Sequence, residues 1–509
     1  MSAETSQKER GVMDRFLNFI EKAGNKLPHP TILFFWLAGI TLLVSWIVGR
    51  FGVAVEHPGT GETIEAVNLI SRSGFQQIMS EAVSNFINFA PLGVVLVAML
   101  GVGVAEKSGL ISAVLKKLVL GAPERYITAA VVFAGVMSNI ASDAGYVVLV
   151  PLGAVIFAAR GRHPLVGLAA AFAGVSGGFS ANLLISTLDP MLAELSSDAA
   201  QLIESGYQVP PTANYYFMII STFVVTIIGT WVTEKIVAPR FGEYTGDYTE
   251  DLEELKPKEQ RGLNSALLWV LIFIGIILIM TVPSNGLLRS DEGNLIMGST
   301  PFINGMVPLI ALFFFIPGIA YGKKVGTIQN SDNVAEFMDE TMADMGMYVA
   351  LAFAAGQFVA YFEWSNLGTI LAISGAEFLE SINFTGLPLI IVFIVVAGFI
   401  NLFIGSASAK WAIMAPVFVP LLMQLGYAPE FAQMAYRIGD STTNIITPLM
   451  PYFAIIIAFA KRYDEDVGIG TLISTMIPYS IAFLVGWTVL LIIWYVFKLP
   501  IGPGGALFF

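Results

Sequence analysis

The sequence predicts an all-α polytopic membrane protein of about nine transmembrane helices plus two re-entrant hairpins in an inverted repeat. Three observations carry that prediction. Hydrophobic residues fill 56% of the 509 positions and charged residues only 13%, far below the roughly 25% charged of soluble domains; mean hydropathy is +0.74. Apolar runs such as 31–48, 266–282, 307–320 and 472–497 are long enough, or nearly so, to cross ~30 Å of hydrocarbon. Small and polar residues interrupt this apolar sequence twice, at matching places in the two halves.

The placement of Lys and Arg orders the spans. Basic residues gather in the N-terminal segment 1–29 and in five later groups, at 107–125, 160–162, 235–261, 323–324 and 461–462. Cytoplasmic loops carry such an excess. Placing these groups in the cytoplasm leaves Arg50, Arg72, Arg289 and Lys498 for the other face, with Lys410 and Arg437 inside the membrane. The N-terminus is then cytoplasmic. No short apolar core with a small-residue cleavage site follows it, so 31–48 reads as a retained span.

The first repeat, 30–236, opens with span one at about 30–50 and an acidic outer loop holding Glu56, Glu62 and Glu65. Span two, about 87–105, returns to the basic stretch around Lys116. Segment 126–158 is too long for one untilted span and is basic at both ends, which predicts a cytoplasmic hairpin with its tip at 138–143. A broken span at 165–189 exits to a loop with Asp198 and Glu204, and span four, about 214–236, returns to the charged linker 237–262.

The second repeat, 263–497, has the opposite orientation. Spans five to seven are predicted at 266–284, 303–321 and 341–362, followed by an interfacial amphipathic segment at 365–383. A second hairpin, 385–424, enters from outside with its tip at 405–410. A broken span at 430–460 and a last span at 470–497 precede the tail 498–509.

The doubled cluster is the candidate site. Ser138, Asn139 and Asp143 precede Gly178, Ser180 and Asn182 in the first copy; Ser406, Lys410 and Trp411 precede Asp440, Ser441 and Asn444 in the second. Asn182 stands 262 positions before Asn444, and Tyr146 stands 265 before Trp411. Polar, interrupted helices at matching places in two halves point to a transport site. Irregular backbone survives at membrane depth only when buried in protein or lining a cavity. There, helix N-termini attract anions, while C-termini and freed carbonyls hold cations.

Pro448 cannot donate a hydrogen bond to the Asn444 carbonyl, which frees an oxygen beside the Asp440 and Asn444 side chains. Asn139, Asp143, Asn182, Asp440 and Asn444 are therefore the candidate ion ligands, for Na⁺ or H⁺. Ionisable residues within a span are functional by default because burying them is costly; Asp143, Lys410, Arg437 and Asp440 qualify. Arg437, Asp440 and Asn444 are spaced to share one helical face. Arg437, with Lys410, suits a substrate carboxylate, or else Arg437 and Asp440 neutralise each other. Asp189, before Pro190, touches substrate or caps a helix. Tyr146 and Trp411 offer aromatic faces for stacking or bulk for packing.

Other chemistries lack their residues. The chain has no cysteine, which excludes thiol catalysis and Cys-ligated zinc. The three histidines, His29, His57 and His163, fall near loops, which speaks against a histidine metal site. No phosphate loop, HExxH pair or nucleophile elbow is present. Neither an enzyme, a resident cofactor nor a nucleic-acid partner is expected.

The run Arg437-Ile438-Gly439-Asp440-Ser441-Thr442-Thr443-Asn444-Ile445-Ile446-Thr447-Pro448-Leu449-Met450-Pro451 resembles the p-aminobenzoyl-glutamate transporter (AbgT) family. Segments 138–146, 178–190 and 405–416 support the resemblance, which extends over nearly the whole chain. It implies a bowl-shaped homodimer in a bacterial inner membrane, each protomer with its own pathway. It implies secondary active transport of p-aminobenzoyl-glutamate or related folate catabolites, and export of sulfonamide antimetabolites. By the same resemblance Asp189, Trp411, Arg437, Asp440 and Pro448 line the substrate route. The implied partners are an aromatic carboxylate and membrane lipid. The motifs leave Na⁺ against H⁺ coupling, and uptake against efflux, open. A dicarboxylate/cation symporter on the same hairpin plan is the rival reading, and a passive ion channel the next.

Overall fold

The computed structural model describes residues 30–56, 63–141, 145–242, 244, 255–291, 293–295, 300–447, 450 and 452–509. About three quarters of them are helical. α1 (Pro30–Arg50) leads to a small antiparallel ribbon, β1 (Ala54–Glu56) and β2 (Thr63–Glu65), with Ala54 opposite Glu65. α2 (Arg72–Ile87), α3 (Ala90–Lys107) and α4 (Leu110–Leu120) follow. The first hairpin is α5 (Ile127–Ser138), a 3-10 turn at Asn139–Ala141, a π-helical turn at Gly145–Leu149 and α6 (Val150–Ala158). α7 (Pro164–Phe172), wound on through a π-helical turn at Ala173–Gly177, and α8 (Leu188–Ala200) are the halves of a broken span. α9 (Tyr215–Val232) continues through another π-helical turn into α10 (Ala238–Phe241).

The second repeat runs α11 (Pro257–Thr281), α12 (Pro301–Asn304), α13 (Met306–Val325), α14 (Ser331–Asp344), α15 (Gly346–Trp364) and α16 (Leu367–Ser381). Its hairpin is α17 (Gly386–Asn401) and α18 (Ala407–Gln424), and its broken span is α19 (Pro429–Asn444) and α20 (Phe453–Ala460). α21 (Ile469–Phe497) is the last helix.

Among the described residues, seven helices are long and apolar enough to cross a membrane, or up to nine if two bent pairs each count as one span. α14 and α15 meet at 44° and read as one bent crossing, whereas α4 turns through 114° into the first hairpin. Among the seven candidate spans, α11 holds the most apolar stretch, and only 11% of that stretch is buried in the protein, which leaves its apolar face outward.

One predicted boundary needs correction, and two segments without a predicted element gain one. The acidic outer loop after span one carries the β-ribbon. The helix α2 adjoins span two, and Arg72–Lys107 form a nearly continuous 36-residue helical stretch whose apolar part is α3. The broken span predicted at 165–189 runs on to Ala200, because the helix unwinds after Gly177 and restarts at Leu188. Gly177 and Gly178 favour the interruption, and Pro190 is tolerated only in the first turn of the new helix. Asp198, expected in an outer loop, therefore lies on α8.

The inverted repeat is visible in matched contacts. Asn139 Nδ2 donates to the Gly178 carbonyl at 3.3 Å, and Asn401 Nδ2 to the Asp440 carbonyl at 2.8 Å, each partner displaced by 262 positions. A β-carbon on Gly174 would stand 2.3 Å from the Val132 carbonyl oxygen, and one on Gly439 2.3 Å from that of Ile394. In both halves the first hairpin leg thus meets its broken span backbone to backbone, where only glycine fits. The halves also interlock: α8 packs on α18, and α20 on α6.

Candidate transport site

In the second repeat the hairpin tip is tied to the broken span by buried charge. Asn401 closes α17, Lys410 lies in the first turn of α18, and Asp440 and Asn444 sit in the last two turns of α19. The Lys410 and Asp440 side chains are 0% and 1% exposed, and Lys410 Nζ donates to Asp440 Oδ1 at 2.5 Å and also to Asn401 Oδ1. Asn401 Nδ2 stands 2.8 Å from each of the Asp440 carbonyl oxygen, Thr443 Oγ1 and Asn444 Oδ1. A buried ion pair survives only when such hydrogen bonds offset its desolvation. Among the described residues Asp440 Oδ2 has no hydrogen-bond partner.

Arg437 turns away from this network. Its Nη2 donates to Asp189 Oδ1 at 2.6 Å, and its Nη1 lies 3.3 Å from the Met218 sulfur. Asp189 Oδ2 accepts from the Ser186 N–H at 2.6 Å and from the Ser186 hydroxyl at 2.9 Å. Mutual neutralisation of Arg437 and Asp440 is thereby corrected: each pairs with a different helix. Two further expectations fall short of the structure. Lys410 is sequestered by Asp440 and does not offer a free cation to a carboxylate. Trp411 is fully buried, stacks on Tyr436 at 4.4 Å and donates to Ser196 Oγ at 3.0 Å. It is packing between helices, not an open stacking face.

Among the described residues the first repeat keeps the frame without a buried ion pair between its own tip and its own break. Asn139 donates to the carbonyls of Val136 and Gly178, and its Oδ1 has no protein partner. Asn182 is buried in the unwound segment, where its Oδ1 accepts from the Leu184 N–H at 3.1 Å and closes an Asx turn. Asp143 and Pro448 lie outside the described residues.

Both tips and both breaks open onto one cavity of about 900 Å³. Asn139 and Tyr146 reach it from the first tip, Ser406 and Ser408 from the second, and Phe179 and Asn444 from the two broken spans. Tyr146 and Tyr452 stack parallel at 4.7 Å and also line it. Asp189, Lys410, Trp411, Arg437, Asp440 and Asn182 lie outside this lining. The ion candidates therefore divide between the wall, with Asn139 and Asn444, and the buried layer behind it. Asn139 Oδ1 and Asp440 Oδ2 are buried oxygens without partners among the described residues, and oxygen ligands of this kind suit a hard cation.

The sequence profile of the AbgT transporter family matches residues 15–509. The chain belongs to that family. Over 504 residues this AbgT protein is 40% identical to the p-aminobenzoyl-glutamate transport protein of Escherichia coli K12, covering 99% of this chain and 98% of that one. Its fold matches the YdaH transporter of Alcanivorax borkumensis with a TM-score of 0.89 and 46% identity, covering 94% of this chain and all of the other. It matches Neisseria gonorrhoeae MtrF, described among antimetabolite efflux pumps, with a TM-score of 0.90 and 47% identity over 96% and 100% of the two chains. The AbgT protein is thus a multi-pass membrane transporter.

Sequence reasoning missed Asn401, the residue that joins tip to broken span. A signal was present, because Asn401 stands 262 positions after Asn139, the same interval that links Asn182 to Asn444. It also missed Tyr452, which takes the stacking place beside Tyr146 that Trp411 does not fill.

Proposed function

We propose that this AbgT protein is a cation-coupled secondary active transporter of p-aminobenzoyl-glutamate or related aromatic carboxylates, with sulfonamide antimetabolites as further cargo. In this reading it works as a homodimer in the bacterial inner membrane, and the distribution of Lys and Arg supports a cytoplasmic N-terminus. The observation that carries this reading is the single cavity reached by both hairpin tips and both helix breaks. Its size suits a ring-bearing small molecule. The Tyr146–Tyr452 pair supplies aromatic surface, and the α18 N-terminus at Ser406 supplies N–H groups for a carboxylate. The names of the E. coli and gonococcal relatives agree with such a cargo.

Coupling is assigned to Asp440. Lys410 already neutralises this carboxylate, so an arriving Na⁺ or proton competes with the ammonium for it. Asn401 binds Lys410, the Asp440 carbonyl and Asn444 together. Occupancy at Asp440 therefore alters how firmly the second tip holds the broken span, and the substrate cavity lies against that joint.

Proteoliposome flux under separately imposed Na⁺ and proton gradients tests the reading. Asp440→Asn is expected to abolish concentrative uptake of p-aminobenzoyl-glutamate while the protein stays folded and dimeric. Undiminished concentrative flux would remove Asp440 from the coupling role. Excess succinate is expected to leave flux unchanged; competition by succinate and none by p-aminobenzoyl-glutamate would assign the dicarboxylate reading instead.

A further inference from the structure

We infer that Lys107 is the residue that selects anionic cargo, receiving a substrate carboxylate at the cavity rim in exchange for Asp344 and Glu340. The inference rests on the transport reading of the cavity and adds a specificity determinant to it. Among the described residues three charged side chains line the cavity, Glu106, Lys107 and Asp344, and of these Lys107 is the only positive one. The cations that sequence reasoning put forward for a carboxylate, Arg437 and Lys410, are held by Asp189 and Asp440 in the layer behind the wall. An anionic cargo in this cavity therefore meets two carboxylates and one ammonium.

The geometry makes that ammonium exchangeable. Lys107 Nζ stands 3.2 Å from Asp344 Oδ2 and 3.4 Å from Glu340 Oε2, and the three side chains are 30%, 63% and 50% exposed. Ion pairs this open to solvent hold weakly, and an ammonium has three hydrogens to share among acceptors. Lys107 ends α3 and Asp344 ends α14, next to the bend into α15, so the pair joins two elements across the rim. One turn beyond Asp344, the Tyr348 hydroxyl is buried, lines the same cavity and has no hydrogen-bond partner among the described residues. A carboxylate that displaced Asp344 from Lys107 would find a second donor there. The aromatic pair Tyr146–Tyr452 lines the same space and leaves the ring its own surface.

The test compares two probes that differ in charge and little else, p-aminobenzoate and p-aminobenzamide, by calorimetric titration of the purified full-length protein. Lys107→Gln is expected to weaken p-aminobenzoate about tenfold and leave p-aminobenzamide unchanged. Lys107→Arg should keep wild-type affinity within about threefold, and Asp344→Asn should tighten p-aminobenzoate by removing its competitor. A Lys107→Gln protein that binds both probes like wild type overturns the proposal. So does one that weakens both equally, since that marks a structural latch, and so does a wild type without preference for the carboxylate. Wild-type flux of p-aminobenzoyl-glutamate is read separately: its absence counts against the transport reading, while flux with an unaltered Lys107→Gln affinity counts against Lys107 alone.

Discussion

Arg437 and Asp440 lie three residues apart on α19, yet the first reaches Asp189 at the start of α8 and the second Lys410 at the start of α18. Each pair is fully enclosed, so its energetics follow from desolvation and not from surface attraction. Asp189→Ala strands the Arg437 guanidinium and should destabilise the protein by about 3–5 kcal/mol. The double replacement Asp189→Leu with Arg437→Met should recover most of that loss. Unfolding in mixed micelles measures both; a double variant no better than Asp189→Ala would show that the pair contributes more than charge neutralisation. Lys410, Arg437 and Asp440 were legible in the sequence, because burying charge in an apolar span marks a residue by itself, whereas Asp189, at a span end, entered the substrate route only through the family resemblance. Their pairing was not, since it depends on how α19 is rotated against α8 and α18. Asn401 escaped notice for the opposite reason: a neutral amide carries little burial cost, and only its interval from Asn139 gave it away.

The helices show the same division between what pattern reveals and what packing decides. Apolar runs ending in Lys or Arg located α1, α9, α13 and α21 well, because length and end charge are local properties, whereas α11 starts at Pro257, inside the predicted charged linker 237–262. Where a broken helix restarts is not local. The unwound stretch before Leu188 is held by Ser180 N–H donating to Ser441 Oγ at 3.0 Å and by Tyr215 donating to the Leu183 carbonyl at 2.7 Å, contacts supplied by distant segments. The start of α7 has a titratable cap: His163 Nδ1 accepts from the Leu165 N–H at 3.3 Å, which only a neutral imidazole can do. Burial pushes the His163 pKa below its ordinary 6.5, against the opposing pull of Asp464. The unfolded chain therefore binds the proton more readily. This group's stabilisation is complete above the ordinary value and is lost as pH falls through the lower folded value. His163→Asn caps at any pH, so the variant's stability should lack that acid decline. Thermal unfolding from pH ~8 to ~5 measures it, and identical profiles for variant and wild type would remove His163 as the cause.

At the level of the whole chain the two repeats share a frame and divide the chemistry. Matched contacts of Asn139 and Asn401, and of Gly174 and Gly439, build the same hairpin-on-broken-span unit twice. Only the second unit adds Lys410, Arg437 and Asp440. The units are also threaded through each other, with α8 on α18 and α20 on α6, so neither can move without changing the shared cavity. Tyr146 at the first tip stacks on Tyr452 in the second break, which makes that contact a direct gauge of relative motion. The chain contains no cysteine, so paired thiols can be introduced without background. Bridging Tyr146→Cys and Tyr452→Cys with a short, reducible bifunctional thiol reagent should lower substrate flux at least about tenfold, because alternating access needs the repeats to rearrange. Reduction should restore flux, and either single replacement should be insensitive to the reagent. A bridged transporter that carries substrate at the unbridged rate would show that the tip and the break travel together. The moving boundary would then lie elsewhere, where α3 meets α14 at Lys107 and Asp344.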